Sequence, residues 1–226
     1  SAISEILRQD GAEGVIRFAD HVSAPHQIGS VLGTINDDVF EKLLLPRFLN
    51  TKENKYKALV SAFIWKRFYL KGWEWFDNLD KADWTPEQLG QFFAYLPFNK
   101  ETWTRVSHYP QASENEYWAR TDANPDLGEG DLTSAIDKLI DHGRPLAAIN
   151  CLCRMHQTKQ PIDTEQCIRA LLAATSTNES SSNMDGYNIT TLIQFLQTDP
   201  KVNPDNLFQI FQILDSGIMT APTFGF

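Results

Sequence analysis

Leu132, Ala135, Ile136, Leu139 and Ile140 recur at the i, i+3, i+4, i+7, i+8 spacing that gathers apolar side chains on one face of a helix. Gly143 and Pro145 follow at once, and Leu146, Ile149 and Leu152 open a second stripe. The spacing predicts a helix, a tight turn and a partner helix. The same periodicity recurs along the chain, and strand-like alternation is nowhere sustained. The predicted fold class is therefore all-α: stacked helical hairpins forming a short irregular α-solenoid or a right-angled helical array.

Punctuation residues set the expected boundaries. Thr85-Pro86-Glu87-Gln88 reads as a capping box with Pro at the first helical position. Ser113 to Glu116 and Asp163 to Gln166 follow the same logic, and Asn203-Pro204 is a cap followed by Pro. Gly72, Gly143 and Gly217 mark stops, because glycine enters the left-handed region without strain. Expected helices run 3–9, 12–22, 25–35, 37–49, 54–71, 74–79, 86–96, 101–108, 114–120, 132–142, 145–156, 164–175, 185–198 and 204–215. Loops are expected at 122–130 and 177–183.

Two subdomains are expected: an aromatic-rich helical part over 1–122 and a helical-hairpin part over 131–226, with the boundary loop near 122–130. Overlaying 12–35 on 132–155 aligns Ile16 with Ile136, Pro25 with Pro145 and Leu32 with Leu152, an arrangement an internal repeat would produce. The segment 54–75 carries apolar residues all around a helical wheel. It is expected to be the central buried helix of the N-terminal half, its end covered by Trp73, Trp75 and Phe76.

Charge and composition restrict function. Of 226 residues, 42% are hydrophobic and 12% aromatic, enough for a real core. The formal net charge of -9 counts against nucleic acid and anionic membranes as partners. No 18-residue apolar run exists, so no membrane span is expected. Three cysteines, an odd number without paired spacing, point to a reducing, cytoplasmic setting. The start at Ser1-Ala2 and the apolar end at Phe226 suggest a piece of a longer protein.

Catalytic signatures are missing from the sequence: no G-x-S-x-G, H-E-x-x-H, Walker A or G-x-G-x-x-G motif occurs. Cys151, Cys153 and His156 fall on one predicted helix. There the two cysteines diverge by roughly 200°, so they read as core residues rather than metal ligands. His142 and His21 end helices, where a cation complements the helix dipole. No catalytic, cofactor-binding or metal-ligating residue is assigned. The candidate partner or ligand surface is Lys66, Arg67, Lys71, Trp73 and Trp75, part of a basic and aromatic stretch in an acidic chain. That composition also suits single-stranded nucleic acid. A second alternative is a small-ligand or enzymatic pocket lined by Trp73, Trp75, Trp84 or Trp103. Leu139 is expected in the core, and Glu179 in a loop where truncation costs little.

The stretch from Asp131 through Leu152, with its Gly-Arg-Pro-Leu-Ala-Ala turn, resembles tetratricopeptide-like and HEAT-like helical-repeat regions. It is most similar to those of long bacterial multidomain proteins of unassigned function, and the resemblance covers mainly residues 131–215. It implies a non-enzymatic segment serving protein–protein interaction, scaffolding or sensing. Its partner would be another protein or another domain of the same parent chain.

Overall fold

The computed structural model describes residues 2–128, 132–180, 184–200 and 202–213. Among these residues there are twelve α-helices and no strand. They are α1 (Ala2–Ala19), α2 (Pro25–Thr34), α3 (Val39–Phe48), α4 (Asn54–Asn78), α5 (Pro86–Ala94), α6 (Lys100–Val106), α7 (Gln111–Arg120), α8 (Thr133–Asp141), α9 (Pro145–Gln157), α10 (Thr164–Ala174), α11 (Asp185–Thr198) and α12 (Pro204–Ile213). The chain is all-α. It divides into two compact units, Ser1–Pro97 with Thr104–Asp122, and Phe98–Trp103 with Ala123–Phe226.

In the first unit α2 lies against α4. The sequence Gly29-Ser-Val-Leu-Gly33 makes this possible by placing two residues without side chains on one helical face. A Cβ on Gly29 would sit 2.0 Å from the Leu59 carbonyl oxygen, and one on Gly33 would sit 2.9 Å from that of Phe63. The two backbones are therefore in van der Waals contact. On the adjoining face of α2, Ile28 and Leu32 enter the core, joined by Phe40, Leu44 and Leu45 of α3 and by Leu59, Phe63 and Ile64 of α4.

Helix α4 continues past Lys71, where the sequence predicted a stop. Gly72 takes φ 60, ψ -154 and redirects the chain, and the helix resumes to Asn78. The turn expected there is a kink, because glycine can adopt the left-handed angle without ending the hydrogen-bonded run around it. Gly11 (φ 68) joins the two expected N-terminal helices into α1 in the same way. Helix α5 starts at the expected capping box: Thr85 Oγ1 accepts from Gln88 N at 3.2 Å, and Gln88 Oε1 accepts from Thr85 N at 2.9 Å. It packs on α7, with Gly90 over the Ser113 carbonyl. That contact corrects the expected start of α7. Ser113 is a fully buried residue inside the helix, which begins at Gln111 directly after Pro110.

In the second unit α9 is the central helix, contacted by α8, α10 and α11. Its buried residues Leu146, Ala148, Ile149, Cys151, Leu152, Cys153 and Met155 occupy more than half its circumference. The helix that sits between neighbours on several sides is thus α9, whereas α4, expected in that role, leaves one side bare. The α8–α9 turn closes as the sequence predicts: Gly143 has φ 71, and Arg144 N donates to the Leu139 carbonyl at 2.8 Å.

The two segments overlaid as an internal repeat share points of local geometry but not their packing. The residues preceding the two matching prolines, Ala24 (φ -130, ψ 66) and Arg144 (φ -116, ψ 55), share a conformation. His21 and His142 each place Nδ1 near the carbonyl oxygen four residues back, at 2.8 and 2.7 Å. Packing differs: α8 and α9 lie together as a hairpin, while α2 turns from α1 to α4. Gly217 lies outside the described residues.

Candidate interaction surface

Helix α4 places its residues on two contrasting sides. Leu59, Val60, Phe63, Ile64 and Arg67 are buried, whereas Trp65 is 43% exposed, Tyr69 76% and Leu70 53%. The exposed side carries Ala58, Ala62, Trp65 and Tyr69 at spacings of four, three and four, a seam of about 16 Å along the helix. Ala58 and Ala62 within it and Ser61 beside it are half-buried, so its N-terminal end is low and its C-terminal end raised by two aromatic rings.

The five proposed surface residues divide between these sides. Lys66 stands at the rim, its Nζ 5.4 Å from the centre of the Tyr69 ring. Lys71 is exposed and donates to Asn36 Oδ1 at 2.7 Å. Arg67 is 1% exposed, its Nε 3.4 Å from Glu41 Oε1 and its Nη2 donating to the Asp37 carbonyl at 3.3 Å. Trp75, at 6% exposure, donates to the same Glu41 oxygen at 2.8 Å. Burial pushes the Arg67 guanidinium below its usual pKa, and the Glu41 and Asp37 charges oppose that shift. Arg67 and Trp75 therefore belong to an internal Arg–Glu–Trp cluster that ties α4 to α3. Trp73 is half-buried, edge-on to Phe68 and Phe76, with the Arg105 guanidinium 4.2 Å over its ring.

Aromatic residues considered as pocket walls are packed against other rings. Trp75 and Trp84 both meet Phe92, at 5.6 and 5.4 Å between centres, and Trp73 meets Phe93 at 6.4 Å. Trp103 belongs to the other unit, edge-on to Phe98.

Among the described residues no group of three or more His, Cys, Asp or Glu side chains could hold a metal ion. All three cysteines are buried, and desolvation pushes each thiol up to about 12. His156 instead stands exposed beside Phe195. The described residues also contain no helix long and apolar enough to cross a membrane.

Sequence reasoning missed two features. The Trp65–Tyr69 seam lies on a helix whose apolar residues run all round the wheel, which predicts burial on every side. The small residues Ala58, Ser61 and Ala62 at seam spacing were the available signal that this side lacks the bulk of a core face. The second is Glu179, whose carboxylate accepts from Leu146 N at 2.7 Å and lies 3.1 Å from Arg144 Nε. It caps α9 from more than thirty residues away, and no local pattern announces that pairing.

No protein-family model matches this chain, and no curated protein or solved structure matches it either.

Proposed function

We propose that this chain is a non-enzymatic helical domain that binds another protein, or another domain of its parent chain. The observation that carries this reading is the bare side of α4, where Trp65 and Tyr69 stay exposed while Leu59, Val60, Phe63, Ile64 and Arg67 are buried. Exposed aromatic side chains such as Trp65 and Tyr69 supply the rigid anchors that dominate protein interfaces. The helical-repeat character of the second unit rests on the α8–α9 hairpin. A cytoplasmic setting agrees with three cysteines that remain thiols.

Site-specific photo-crosslinking tests the proposal. A benzoylphenylalanine at position 69 should give one discrete protein adduct in cells, weakened by Trp65→Ala. The same group at position 141, on the exposed face of α8, should give none. Equal labelling from both positions, or none from position 69, would refute the assignment.

A further inference from the structure

We draw no further inference here: the strongest candidate, the exposed Trp65–Tyr69 side of α4, is an unpartnered apolar helix face already used for the proposed function, and nothing in the structure shows what covers it.

Discussion

Glu179 shows how much one side chain can carry outside regular structure. Its carboxylate meets two amides at the start of α9 and the Arg144 guanidinium. A helix N-terminus left with unpaired amides loses both hydrogen bonds and a favourable dipole interaction. Glu179→Ala should therefore cost about 1–2 kcal/mol in urea unfolding, in the range of N-cap removals. The sequence-based expectation of a negligible cost is corrected by this long-range cap. The cysteines make a second point at the same scale. With each thiol pushed up to about 12 by burial, the folded state holds protons that the unfolded state releases near 9. Stability from this source is complete below pH 9 and is lost as pH rises from 9 towards 12. Thermal melts should fall progressively across that interval. At pH 8 the native thiols should react with a maleimide far more slowly than the urea-unfolded ones; equal rates would mean the cysteines are accessible.

At the scale of elements, the α2–α4 contact depends on two missing side chains. Gly29→Ala would drive a methyl group into the Leu59 carbonyl, at 2.0 Å, and only separation of the helices relieves it. The variant should lose about 1–3 kcal/mol, as overpacked cores do, although alanine is the better helix former. A gain in stability would show that the helices are not in backbone contact. In α8, Leu139 is fully buried, and Leu139→Ala should cost about 2–5 kcal/mol. This position was legible from the 132–140 stripe, as were the capped starts at Thr85 and Asp163, because these signals are local. Asp163 Oδ1 indeed accepts from the Glu165 and Gln166 amides at 2.8 and 3.2 Å. Gln166 itself reaches the Thr133 carbonyl instead of closing a box. The stop expected at Gly72 is a kink, since a left-handed glycine serves either purpose. Which side of α4 stays bare was illegible for a different reason. An exposed Trp and a buried Trp obey the same periodicity, and the packing of α2 and α3 decides which side of α4 is covered.

Across the whole molecule, a chain of net charge -9 carries no Asp or Glu in α2 or in residues 54–71 of α4, and it keeps the rings of Trp65 and Tyr69 exposed there. Neither the basic composition of 52–71 nor its aromatic content distinguished a surface from a core. Arg67 and Trp75 have the composition of a binding site and the burial of structural residues, and their partner Glu41 lies in another helix. The seam on α4 is where the proposed function stands or falls, and hydroxyl-radical footprinting read by mass spectrometry tests it most directly. Trp65 and Tyr69 should oxidise about tenfold faster than Trp75 and Phe76, in line with exposures of 43% and 76% against 6% and 1%. Protection of Trp65 and Tyr69 to the level of Trp75 in the isolated chain would contradict the account.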